Sequence, residues 1–210
     1  GSGGQAAVGS EKPDQAEVED VSVGGATPEG PTGGNIARQI ALRAGMPVTV
    51  SGMTVNRFCS SGLQTIALAA QRVLAGEADI FVAGGVESIS CVQNEANKHM
   101  AADPWLKEHK PTIYWNMLQT AEQVAKRYNI GREVQDRYGV DSQNKAAKAR
   151  AEGNVKEEIV PIATTMKVID KTTNVASTRE LTASADGGLR PATHYVGAPH
   201  ILPRFAAGSI

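Results

Sequence analysis

Aromatic side chains are scarce: two Trp, four Tyr and three Phe make up 4% of 210 residues. A core must therefore be built from Ala, Val, Ile and Leu. Cysteine is scarcer still. Cys59 and Cys91 cannot make a disulfide framework, and a reducing, cytoplasmic setting fits best. No apolar run reaches the ~20 residues of a membrane span. No basic and then apolar stretch opens the chain, so no signal peptide is expected. A net charge of -1 leaves no basic field for nucleic acid or an anionic membrane. The four histidines, His99, His109, His194 and His200, show no metal-ligand spacing, so surface or loop roles and no metal are expected. What is present is ordinary for a soluble globular protein, 41% hydrophobic and 20% charged. The length suffices for one good domain or two small ones.

Residues 1–16 begin Gly1-Ser2-Gly3-Gly4 and read as a linker or tag remnant followed by a poorly specified stretch. Residues 18–23 read as a short strand, and the breakers of 24–31 as a loop. Apolar residues at 36, 37, 40, 41 and 44 have helical spacing, ended by Gly45 and Pro47. Residues 49–55 alternate as a strand. A helix is predicted from Ser61 to Ala75, stopping at Gly76, with Leu63, Ile66, Ala67, Ala70, Val73 and Leu74 on a wide apolar face buried on most sides. Residues 79–86 read as a buried strand of a mixed or parallel sheet. This alternation over 18–90 implies a layered α/β fold. From 91 to 116 the sequence is polar and irregular. Two amphipathic helices follow, 117–128 and 132–152, then a short strand at 159–162 ahead of a Thr-rich stretch. A domain boundary is placed near residue 90.

Cys59 lies where a strand turns into a helix. There a thiol faces the unpaired N–H groups of the first helical turn and the positive end of the helix dipole. Both favour the thiolate, which is the nucleophile. Small Ser60, Ser61 and Gly62 leave room for a substrate. A buried structural cysteine is the alternative reading of the same residues. Cys91 is read as a packed thiol.

Four ordered segments resemble the thiolase family. They are Asn56-Arg57-Phe58-Cys59-Ser60-Ser61-Gly62-Leu63-Gln64, Ala83-Gly84-Gly85-Val86-Glu87-Ser88-Ile89-Ser90, Gly33-Gly34-Asn35-Ile36-Ala37-Arg38, and Thr120-Ala121-Glu122-Gln123-Val124-Ala125. The first is similar to the family's nucleophile motif, and the last to a helix of its substrate-covering loop domain. The likeness runs from about Ala16 to Arg190. It implies a thiolase-like αβαβα fold, here incomplete. Residues 17–90 would be part of the first half with the nucleophile, and 91–210 the inserted loop domain, atypical after 191.

The implied activity is that of an acetyl-CoA acetyltransferase or 3-ketoacyl-CoA thiolase, with an acyl intermediate on Cys59. Coenzyme A and acyl-CoA would be substrates, with no covalently bound cofactor. The chain is expected to form a homo-oligomer, dimer or tetramer. Met117 would line the acyl pocket, the alternative being plain core. Arg190, before a Pro and a turn, would sit near the nucleotide end of coenzyme A, the alternative being a solvated arginine. In many thiolases a loop-domain His falls near the position of Asn116, and here it is absent. The sequence contains no Gly-His-Pro, Cys-x-Gly or Gly-Asn-Ala-Ser motif, which in the family belong to later parts of the site. A fragment that is inactive alone is therefore expected. Two other functions stay open: a catalytically dead thiolase-like scaffold or acyl-CoA-binding protein, and a relative of ketoacyl synthases.

Overall fold

The computed structural model describes residues 14–190 and residue 192. The linker reading of residues 1–13 and the atypical tail with His194 and His200 lie outside the described residues. The chain forms two compact units, one through Ala101 and the other from Ala102.

The first unit carries strands β1 (Asp20–Gly24), β2 (Ser51–Val55) and β3 (Phe81–Gly85), and helices α1 (Ile36–Arg43), α2 (Ser61–Leu74) and α3 (Ile89–Val92). The strands form a parallel sheet in the order β2-β1-β3. Central β1 pairs Asp20 with Ser51 and Phe81, and Gly24 with Val55 and Gly85. From β1 the chain steps to one side, then crosses to the other. Right-handed crossovers therefore place α1 and α2 on opposite faces of the sheet.

Side-chain alternation along β1 agrees. Val21 and Val23 join Ala37, Ala41, Ala44, Met46 and Val50 in the buried core on the α1 side. Asp20 and Gly24 face α2, where Asp20 pairs with Arg72. A Cβ on Gly24 would lie 2.4 Å from the Ser61 carbonyl carbon and 2.7 Å from the Gly62 nitrogen. Only glycine lets the first turn of α2 rest on the end of β1. Asn35 caps α1, its side chain accepting from the Arg38 N–H. Gly76, at φ +72°, ends α2 in the left-handed conformation that breaks a helix without strain.

The strands are shorter than the expected 18–23, 49–55 and 79–86, because pairing begins only where all three run side by side. The larger correction concerns α2. The residues it buries are Ser61 and Thr65, and the Thr65 hydroxyl donates to the carbonyls of Gly62 and Gly84 (2.8 and 2.9 Å). Leu63, Ile66, Val73 and Leu74, expected in the core, are exposed. The sheet face opposite α2 is polar or small, so the polar side of the helix turns to it. β3 is accordingly half-buried rather than buried.

Two further differences lie near the ends of the unit. Residues 14–16, expected to be poorly specified, enter a 3₁₀ turn (Gln15–Glu17) closed by a capping box between Asp14 and Glu17. Residues 91–101, expected beyond the boundary, belong to the first unit. Val92 is buried there, and the Asn97 N–H donates to Glu29 Oε2 (2.8 Å).

The second unit contains α4 (Pro104–His109), a 3₁₀ turn (Pro111–Tyr114), α5 (Met117–Tyr128), α6 (Arg132–Ala151), β4 (Ile162–Ile169) and β5 (Ala176–Ala183). α4 corrects the expectation of irregular chain. Asp103 accepts from the Leu106 N–H and Pro104 opens the first turn. The trailing His109 stacks on Trp105, ring centroids 4.4 Å apart. The expected short strand at 159–162 is instead the approach to a hairpin, with Ile162 paired to Ala183 and Ile169 to Ala176. Its turn is tied by Asp170, whose carboxylate accepts from the N–H groups of Thr173 and Thr172 (both 2.8 Å). These bonds hold the carboxyl below its usual range. No helix among the described residues is long and apolar enough to cross a membrane.

Asn116, the position noted for its missing histidine, is the N-cap of α5. Its Oδ1 accepts from the Gln119 N–H (2.9 Å), and its N–H donates to Gln119 Oε1 (3.0 Å). Replacing Asn116 by alanine is expected to cost about 1 kcal/mol, the usual loss for a side-chain cap. Urea unfolding of the variant beside the parent checks this.

Candidate active site

The carboxyl ends of the three parallel strands share one edge of the first unit. Loops leaving such an edge are where layered α/β folds place their ligands. β1 runs on into Gly25, Ala26 and Thr27, β2 into Asn56, Arg57, Phe58 and Cys59, and β3 into Val86 and Glu87. Backbone bonds hold the three ends together: Gly25 N–H donates to Val55 O (3.0 Å) and Val86 N–H to Gly24 O (2.8 Å).

Cys59 stands directly before Ser60, the N-cap of α2, and is exposed. The turn that delivers it is strained. Phe58 has φ +48°, a left-handed conformation costly for a bulky residue. Local bonds enforce it. The Phe58 N–H donates to Asn56 Oδ1 (2.8 Å). The Phe58 carbonyl accepts from the Ser61 N–H (3.0 Å) and hydroxyl (2.6 Å). The Ser61 hydroxyl also accepts from the Arg57 N–H (2.8 Å). Ser61 is buried, so this bracket is fixed to the body of the unit.

Glu87 had no role assigned from sequence beyond its place in a motif. Its carboxylate accepts from the Thr27 hydroxyl (2.5 Å) and from the N–H groups of Ala26 (2.7 Å) and Thr27 (3.2 Å). The Thr27 and Ala26 bonds hold its carboxyl below the usual range. Nothing in sequence spacing links residues 27 and 87. The bond exists because β1 and β3 are neighbours.

Cys91 is a correction. Expected to be packed, it is exposed. In α3 the buried position is Val92, and successive side chains on a helix point about 100° apart.

Met117 and Arg190 lie in the second unit. Met117 is exposed at the first turn of α5 and lines a cavity of about 390 Å³ with Thr120, Ala121, Val124, Ile130 and Gln135. The Arg190 guanidinium donates to the carbonyls of Gly187 (3.0 Å) and Gly188 (3.2 Å), and the Arg190 backbone N–H donates to Gln143 Oε1 (2.9 Å). Sequence reasoning missed a second hollow of about 450 Å³ lined by Trp115, Gln123, Lys126 and Arg127.

Fold and site together define an α/β domain that offers a thiol at the carboxyl edge of a parallel sheet. Within that class the assignment is direct. The chain belongs to the thiolase family, residues 3–198 matching the family model "Thiolase, N-terminal domain", and its fold is the α/β fold of that domain. It is similar to the 3-ketoacyl-CoA thiolase of Bacillus subtilis (strain 168), 43% identical over 182 residues that cover 85% of this chain and 45% of the relative. It is also similar to the peroxisomal 3-ketoacyl-CoA thiolase 1 of Arabidopsis thaliana, 38% identical over 192 residues, 90% of this chain and 42% of the relative. The acetyl-CoA acetyltransferase of Cupriavidus necator is 40% identical over 162 residues, 72% of this chain and 40% of the relative. The chain thus spans less than half the length of these relatives.

Proposed function

We propose that this chain is the nucleophile-bearing part of a thiolase-type acyltransferase, with Cys59 as the group that carries the acyl chain. The supporting observation is the exposed Cys59 thiol at the sheet's carboxyl edge, directly ahead of α2. A helix N-terminus favours negative charge there. In the reaction the Cys59 sulfur, as thiolate, attacks an acyl-CoA carbonyl. A bond from Sγ to the acyl carbon forms, the carbon–sulfur bond to coenzyme A breaks, and coenzyme A leaves as a thiolate that takes up a proton. The acyl group then passes to another coenzyme A or to an acetyl-CoA enolate. Both half-reactions need proton transfers at the substrate. The 210 residues contain no Gly-His-Pro or Cys-x-Gly segment to perform them.

The second unit is assigned as the substrate-covering loop domain. Met117 and its apolar cavity on α5 would take the acyl end. Arg190 would meet the nucleotide end of coenzyme A, which requires it to release its loop carbonyls. Two free, exposed cysteines fit a reducing compartment, and a cytoplasmic location is proposed on that ground.

Incubation with acetyl-CoA should add one acetyl group per chain, mapped by peptide mass to Cys59 and lost in Cys59→Ser. The chain alone should not sustain turnover of acetoacetyl-CoA with coenzyme A. An adduct that persists in Cys59→Ser, or forms equally at Cys91, would overturn the assignment. Coenzyme A binding without any adduct would favour the acyl-CoA-binding scaffold.

A further inference from the structure

We infer that Glu87 is a positioning residue for Cys59, acting through Thr27, Ala26 and Asn56. The inference rests on Cys59 being the nucleophile. A continuous set of hydrogen bonds runs across the carboxyl edge of the sheet. Glu87, after β3, gathers three donors from Ala26 and Thr27, after β1. The Ala26 carbonyl in turn accepts from Asn56 Nδ2 (3.2 Å), after β2. The other end of the same amide, Oδ1, accepts from the Phe58 N–H (2.8 Å). Asn56 is therefore fixed at both ends, and its far end holds the strained residue next to Cys59.

This arrangement explains how the turn keeps its conformation. A left-handed conformation is costly for a residue as bulky as Phe58 and persists only where its surroundings over-determine it. Ser61 brackets Phe58 from the helix side. Asn56 brackets it from the strand side, and its orientation depends on where the Ala26 carbonyl points. That carbonyl belongs to a loop whose own anchor is the Glu87 carboxylate. The hydrogen bonds of Glu87 go to Ala26 and Thr27 and not to Cys59, so its effect is on orientation. A carboxylate suits the position because all three partners are donors. An amide in its place would turn an N–H group toward at least one of them.

The test is the rate of iodoacetamide alkylation at each cysteine of the full chain, read by peptide mass spectrometry. Cys91 is the exposed internal reference. In the parent, Cys59 should react faster than Cys91. In Glu87→Gln and in Thr27→Val, which removes the hydroxyl donor at constant shape, Cys59 should slow about tenfold, the worth of one hydrogen bond to a charged group. Cys91 should be unchanged, and Thr27→Ser, which keeps the donor, should react as the parent does. If Cys59 stays within about twofold of the parent in both variants, the positioning role is wrong, because neutral surface substitutions do no more. A parallel change at both cysteines, or failure of Thr27→Ser to restore the rate, would reduce Glu87 to a general brace and also overturn it. A parent Cys59 no faster than Cys91 would instead fail the nucleophile reading on which the inference rests.

Discussion

Replacing Arg72 by methionine is expected to destabilise the chain by about 3–5 kcal/mol, the usual cost of removing one partner of a buried ion pair. Asp20 opens the central strand with its side chain turned beneath α2 and only 6% exposed. Arg72 Nη1 donates to its Oδ2, while Oδ1 is buried without a hydrogen-bond partner. The guanidinium therefore supplies the compensation for this charge. Arg72 is also held by Glu77 and lies over the Phe81 ring, 4.4 Å from its centroid. Hydrogen bonds to Glu77 and Asp20 push the guanidinium further above its already high range. Methionine keeps an unbranched apolar stem but loses the guanidinium over Phe81 and leaves the Asp20 carboxylate alone.

The Glu77 pairing adds a small pH dependence. Its carboxyl is held below the usual range by Arg72. That contribution is therefore present above the ordinary glutamate pKa and lost as pH falls through the lowered folded value. The group is exposed, so the effect is slight. The double variant Asp20→Val with Arg72→Met removes both charges and should be more stable than Arg72→Met alone. Urea unfolding of the parent, both single variants and the double gives the coupling. A cost below about 1 kcal/mol for Arg72→Met, or strictly additive single effects, would show that the pair is not the fastener inferred here.

The order of elements from residue 20 to 85 could be read from the sequence because period and punctuation agreed. Alternating β-branched residues marked the strands, and Gly45, Pro47 and Gly76 marked the helix ends. The orientation of α2 could not. Periodicity finds an apolar stripe on a helix but not which side meets the sheet. Here β1 presents Asp20 and Gly24 to the helix, and Ser61, Thr65 and Arg72 answer them. Elsewhere the missed signals were local. Asp103-Pro104 announces α4 by its cap, and Asn116 with Gln119 is a capping box. The β4–β5 hairpin was hidden because almost all of both strands is exposed, leaving no alternation of burial to detect. At the site, the position of Cys59 between strand and helix was visible in its flanking residues. The left-handed Phe58 was not, since it depends on how side chains of Asn56 and Ser61 close on the turn, nor was the reach from Glu87 to Thr27, which joins strand ends 60 residues apart.

The chain is expected to self-associate, and the outward face of α2 is the surface expected to drive it. Leu63 is 72% exposed, Ile66 56%, Val73 42% and Leu74 87%. Spaced at three, seven and one residues along one helix, they fall within about a third of its circumference and form an apolar stripe. It lies on the side away from the polar contacts to β1, so turning the helix to bury it against the sheet would break the Arg72–Asp20 pair. Apolar patches beyond a few hundred Å² are uncommon on monomers and usually mark an interface. The second unit adds to the deficit: none of the residues of α6 is buried, and a two-stranded hairpin such as β4–β5 is marginal without a covering layer. A symmetric pairing of α2 with its copy would cover the stripe on both chains at once. Light scattering at micromolar concentration should therefore give a mass above the 22.0 kDa of one chain. Leu63→Glu combined with Leu74→Lys should shift it toward the monomer, while leaving the sheet-facing Ser61, Thr65 and Arg72 untouched. An assembly unaffected by the pair of substitutions would place the interface elsewhere. A monodisperse single-chain particle that binds no hydrophobic dye would show that the stripe tolerates water.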